Sequence, residues 1–134
     1  DDVLDIVTIA VGAIGAVSLL VGAIGILTIM WISVNERIAE IGLCRSLGAT
    51  SGQILMIFLG EAAVLAGCGG LAGIAAGFGV GRATRLFVPG LPFHTPLEFV
   101  VAALVLSVAV GLASGALPAR RAARLDPVVA LRAE

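Results

Sequence analysis

The chain has 134 residues, of which 60% are hydrophobic and 13% charged, with a mean hydropathy of +1.16 and a net charge of −1. A soluble domain carries about 25% charged residues, and one this apolar would expose patches large enough to aggregate, so that class is excluded. The charge, nine acids against eight Arg and no Lys, likewise excludes bulk attraction to nucleic acid.

The N-terminus, Asp1-Asp2-Val3-Leu4-Asp5, is acidic, the opposite of a cleaved signal's basic start. Without an initiator Met it reads as the opening of a fragment of something longer. From Ile6 to Asn35 no Asp, Glu, Lys or Arg occurs. A bilayer core about 30 Å thick needs roughly 20 helical residues, so 6–33 is predicted to be a membrane span. Four charges then fall close together: Glu36, Arg37, Glu40 and Arg45. Asn35 to Leu47 has helical character. Arg37 and Glu40, three apart, can pair on a helix surface. Ile38 and Ile41 line one side, Leu43 and Leu47 another. The expected picture is a helical extension of the first span, stopped at Gly48, with Thr50 or Ser51 capping the next helix near Gln53. A structured, mixed-charge element at a membrane surface suits docking to a cytoplasmic partner. The alternative is a solvated hairpin.

The second span is predicted over 54–81, with Glu61 as its only charge. A carboxylate in an apolar helix is expensive at mid-membrane and cheaper near an edge. Glu61 is therefore a candidate functional group, bonding a neighbouring helix or coupling motion, or else a carboxylate reaching interfacial water. A Pro-rich loop, 88–98, carries the single His94, which has no metal-ligand neighbours. The third span is predicted over 99–119, followed by a basic tail, 120–134. The Arg120-Arg121-Ala122-Ala123-Arg124 run suits anionic lipid headgroups. Asp126-Pro127 is read as an N-cap with Pro at the first helical position, opening a short helix through Leu131. The runs lack the period-two alternation of strands, so the predicted fold is all-α integral membrane, one domain over 1–134.

Arg distribution sets the orientation. Arg37, Arg45, Arg120, Arg121, Arg124 and Arg132 lie on one side, Arg82 and Arg85 on the other. The expectation is a multi-pass protein with residues 35–50 and the C-terminus cytoplasmic. Gly69, Gly73, Gly77 and Gly81 share one helix face, as do Ser107, Gly111 and Gly115. Small residues let membrane helices approach closely, so these faces are expected to pack on one another or on a partner copy. "GCGGLA", residues 67–72, matches a dinucleotide fingerprint but lies mid-span without the required strand, helix start or acid. No phosphate-binding G-x-x-x-x-G-K motif and no nucleophile–base–acid set is seen, so no catalytic, cofactor or metal residue is assigned. Cys44 and Cys68 read as small apolar thiols, not a disulfide.

Residues 18–77 resemble the permease region of MacB/FtsX-like ABC transporters. The motif E-R-x-x-E-I-G-[IL]-x-R-x-[IL]-G-A is met by Glu36, Arg37, Glu40, Ile41, Gly42, Leu43, Arg45, Leu47, Gly48 and Ala49. The motif I-L-x-x-F-L-x-E-A is met by Ile54, Leu55, Phe58, Leu59, Glu61 and Ala62. The tail resembles the family's P-A-x-x-A-[AS]-R-[LI]-[DN]-P-x-x-A-L-R, from Pro118 through Arg132. The resemblance implies the last three of four permease helices, in a bacterial inner membrane, starting after an extracytoplasmic domain. It implies two permease copies working with two ATPase domains, which hold the ATP and Mg, and periplasmic or outer-membrane components as further partners. It also makes 36–49 the coupling helix that contacts the ATPase. The relatives carry more basic residues where this chain has Cys44, Thr50, Ser51 and Gly52, so the docking face here is less positive. Two alternatives stay open: a cell-division-type permease that regulates cell-wall hydrolases, and a small helix-packing membrane protein without an ATPase.

Overall fold

The computed structural model describes residues 2–87 and 96–125, with side chains over 2–84 and 96–125. These residues form four helices and no strand: α1 Asp2–Glu36, α2 Ile38–Ser46, α3 Ser51–Phe87 and α4 Leu97–Ala123. Three of them, α1, α3 and α4, are long and apolar enough to cross a membrane. Each predicted span is the centre of a longer helix, because intrahelical hydrogen bonds persist past the apolar run into water. At 35 residues α1 is about 50 Å long, more than a bilayer core requires. The loop expected over 88–98 ends early, since α4 begins at Leu97. His94, the helix expected from Asp126 to Leu131, and Arg132 lie outside the described residues.

The charged element continues from α1 as a short helix of its own, α2, set off by one residue. Arg37 stands between them with φ −108° and ψ 18°, well off the helical ψ. Hydrogen bonding nevertheless runs across the break, from Arg37 N to Ser33 O at 3.2 Å and from Ile41 N to Arg37 O at 3.0 Å. The exit from α2 is fixed by chain chemistry. Gly48 has φ +100°, a conformation costly for any residue with a Cβ. Its N–H donates to Arg45 O at 3.1 Å and that of Ala49 to Cys44 O at 3.0 Å, the paired bonds of a Schellman stop. Thr50 then opens α3 with a reciprocal capping box. The Gln53 amide donates to Thr50 Oγ1 at 3.3 Å, and the Thr50 amide donates to Gln53 Oε1 at 2.9 Å.

Helices α3 and α4 run antiparallel over a face of small residues. Gly115 lies against Ala62, Gly111 against Ala66 and Ser107 against Gly70. As one index rises by four the other falls by four. Ser107 Oγ donates to Ala66 O at 2.9 Å across the interface. Helix α1 packs mainly on α4. The buried side chains gather at the α2 end of the bundle: Met30 and Val34 from α1, Ile41 from α2, Ile54, Phe58 and Ala62 from α3, Ala119, Ala122 and Ala123 from α4. From Asp2 to Ser18 α1 touches little and is exposed in the single chain. Five other hydroxyls on the spans bond within their own helix. Thr8, Ser18, Thr28, Thr84 and Ser114 each donate to the carbonyl four residues earlier at 2.8–2.9 Å, which removes free donors from a hydrocarbon setting.

Candidate functional site: the helix junction

At the α2 end, three guanidinium groups each bridge different elements. Arg37 Nε lies 3.4 Å from Glu40 Oε2, and its Nη1 lies 3.9 Å from Glu61 Oε2 on α3. Arg121 of α4 stacks over the Trp31 ring of α1, 4.6 Å from the centroid. Arg45 Nη1 donates to Ser51 Oγ at 2.5 Å and to Ala123 O at 2.6 Å. The last residues of α1, α3's start and α4's end are thereby all tied to the short helix or to one another.

Helix α2 has two distinct faces. Ile41 and Gly42 are buried, and Arg45 and Ile38 are half-buried. Glu36, Glu40, Leu43, Cys44 and Leu47 are exposed, Leu47 at 81%. The motif residues expected to meet an ATPase therefore divide. Glu36, Glu40 and Leu47 point outward; Ile41, Gly42 and Arg45 point into the bundle. Gly48 forms the turn. Beside the outward face an open apolar groove is lined by Cys44, Ala49, Gln53, Ile54, Met56 and Ile57.

Glu61 is half-buried and meets the α1–α2 junction through Arg37. Both partners of this pair are substantially exposed, so its contribution is small. Replacing Arg37 with Gln is expected to cost at most about 1 kcal/mol in unfolding of the parent permease, with Glu61→Gln adding little on top. A double-mutant cycle measures the coupling. A coupling energy of several kcal/mol would mean a dry pair instead.

The glycine faces also divide. A Cβ on Gly111 would collide with the Cβ of Ala66, and one on Gly115 would lie 2.5 Å from that of Ala62. Gly69, Gly73 and Gly77 have nothing within 4 Å, and Gly81 is half-buried. The face of α3 that packs is Ala62, Ala66 and Gly70, which the sequence reading passed over. Its four-residue spacing of small side chains was a usable signal, masked by attention to glycine alone. Trp31, Ser51 as an acceptor for Arg45, Arg121 as a ring partner, and the Ala123 carbonyl were likewise missed. Their roles depend on pairings across the bundle that no local pattern marks. Among the described residues no cluster could hold a metal ion.

The family profile described as FtsX-like permease C-terminal matches residues 12–127. The chain is 47% identical over 129 residues to the ABC transporter permease YknZ of Bacillus subtilis, covering 96% of this chain and 32% of that protein. It is 47% identical over 131 residues to the macrolide export ATP-binding/permease protein MacB of an Azoarcus species, covering 95% of this chain and 19% of that protein. The pyoverdine export ATP-binding/permease protein PvdT of Pseudomonas savastanoi is 43% identical over 127 residues, with 95% and 19% covered. The chain thus spans 19 to 32% of the length of these relatives.

Proposed function

The chain belongs to the FtsX-like permease family of ABC transporters, and on that footing we propose that it transmits ATP-driven motion from a cytoplasmic ATPase to an extracytoplasmic part, for export of a substrate. The family implies an ATPase partner. ATP and Mg belong to that ATPase, fused or separate, and this chain contributes no hydrolytic group. The working unit proposed is two permeases with two ATPases, assisted on the outer side by periplasmic or outer-membrane components. The macrolide and pyoverdine exporters among its relatives favour export over signalling to cell-wall hydrolases.

One observation supports the transmission role above others. The only described segment between spans that carries several charges is also where the buried side chains of all four helices meet. Force applied to the outward face of α2 and its flanks, at Glu36, Glu40, Leu43 and Leu47, would enter the best-packed part of the bundle. The opposite end of α1, exposed from Asp2 to Ser18, is less tied and would respond by moving. The full-length parent, purified from its membrane in mild detergent, should turn over ATP itself or bring an ATPase with it. Absence of both would leave these helices without a motor.

The Arg distribution supports an orientation with α2 and the C-terminus in the cytoplasm of a bacterial inner membrane. In a Cys68→Ser background, Cys44 is expected to react with a membrane-impermeant maleimide only after cells are opened. Labelling of intact cells would invert the topology.

A further inference from the structure

We propose that Arg45 is an internal latch that fastens α2 to the end of α4, and not a cation offered to the ATPase. The proposal deepens the transmission reading and rests on it for its functional consequence. The guanidinium is half-buried and turned away from the exposed face of α2. A single nitrogen, Nη1, reaches two other helices: Ser51 Oγ, at the first residue of α3, and Ala123 O, at the last residue of α4.

The chemistry of that acceptor is specific. A helix leaves its final carbonyls without intrahelical donors, and partial negative charge collects there. In α4 the chain closes two of them itself, Arg124 N to Arg121 O at 3.1 Å and Leu125 N to Ala122 O at 3.3 Å. The Ala123 carbonyl accepts from Arg45. A charged donor on a helix C-terminus forms a stronger bond than a neutral one. Ala123 is 6% exposed and its neighbour Ala122 fully buried, so little water competes. The Schellman stop at Gly48 fixes where α2 ends, and the Thr50–Gln53 capping box fixes where α3 begins. The guanidinium spans the turn between them. Displacement of α2 is thereby passed directly to the C-terminal end of α4 as well as to the first residue of α3.

Electron spin resonance distance measurement decides the matter. Spin labels are placed on Cys44 and on Arg120→Cys in the full-length parent, with Cys68 replaced by Ser, in lipid nanodiscs. With Arg45 present a single narrow distance distribution is expected. Arg45→Gln should shift the latched-to-open equilibrium by about tenfold or more and broaden the distribution. Arg45→Lys, which keeps a cationic donor, should stay nearer to wild type. Ser51→Ala, which removes one acceptor, should broaden it less than Arg45→Gln. A distribution as narrow in Arg45→Gln as in wild type overturns the latch. So does loss of the ATPase on Arg45→Gln with the distribution still narrow, which would make Arg45 a docking cation. Should Arg45→Gln fail to fold, Ser51→Ala decides alone, broadening for the latch and constancy against it. Absence of any ATPase from the wild-type preparation would remove the transmission reading, while the widths would still decide the latch.

Discussion

Gly111→Leu is expected to separate α4 from α3 and to lose the folded permease. Even a Cβ at this position collides with the Cβ of Ala66, and the backbone carbonyl of Ala62 lies 3.3 Å away. Neither neighbour is the movable end of a long side chain. Overpacking of this kind costs about 1–3 kcal/mol in a soluble core. Between membrane helices the loss is greater, because dispersion at close approach is the main attraction and lipid replaces it at no hydrophobic cost. Helix α1 leans mainly on α4, so its place goes too. The expected result is a loss of roughly 3 kcal/mol or more, read as a lowered denaturation midpoint or no recoverable protein. Gly73→Leu, on a face with nothing within 4 Å, should leave the α3–α4 pairing intact. Denaturation of Gly111→Leu at the wild-type temperature would mean that the register of the two helices is wrong.

Reversing charge at Glu36 and Glu40 together should cut ATP-coupled transport by about tenfold or more while the bundle stays folded, since charges at a docking face fix register with the partner and a mismatch there costs several kcal/mol. Both residues are exposed, and Glu40 gives up only a surface pair with Arg37 at 3.4 Å. Surface changes of this sort usually alter stability by about 0.5 kcal/mol or less. The loss should therefore appear as transport per ATP consumed, with the denaturation midpoint close to that of the wild type. Wild-type transport by the double variant would remove the docking role from this face.

The spans were legible because thirty residues without a charge, Ile6 to Asn35, leave no other stable placement. The turn was legible because Gly48, Thr50 and Gln53 act through neighbours in sequence. Gly111 and Gly115 were legible as a packing face, but which side of α3 meets them was not. The Gly69–Gly73–Gly77 stripe and the Ala62–Ala66–Gly70 stripe have the same spacing and differ by one position. Glycine permits the closest approach, so the first stripe was read as a packing face, toward another span or a partner copy. Alanine proves small enough, and the Ser107 hydroxyl finds the Ala66 carbonyl only on the second. The motif at 36–49 marked the junction as a unit. Its division into two faces depends on how α2 leaves α1 at Arg37, where one ψ angle redirects the chain. Arg45 thus resembled its charged neighbours in sequence while facing the opposite way.

The central claim, that the outward face of α2 is where an ATPase grips this chain, is tested most directly by photo-crosslinking in native membranes. A photoreactive amino acid at Leu47, the exposed residue that closes α2, is compared with one at Val64, an exposed position on α3. The account predicts an adduct to the ATPase subunit or domain from position 47 and none from position 64. Adducts from neither position, in a preparation that transports normally, would contradict it.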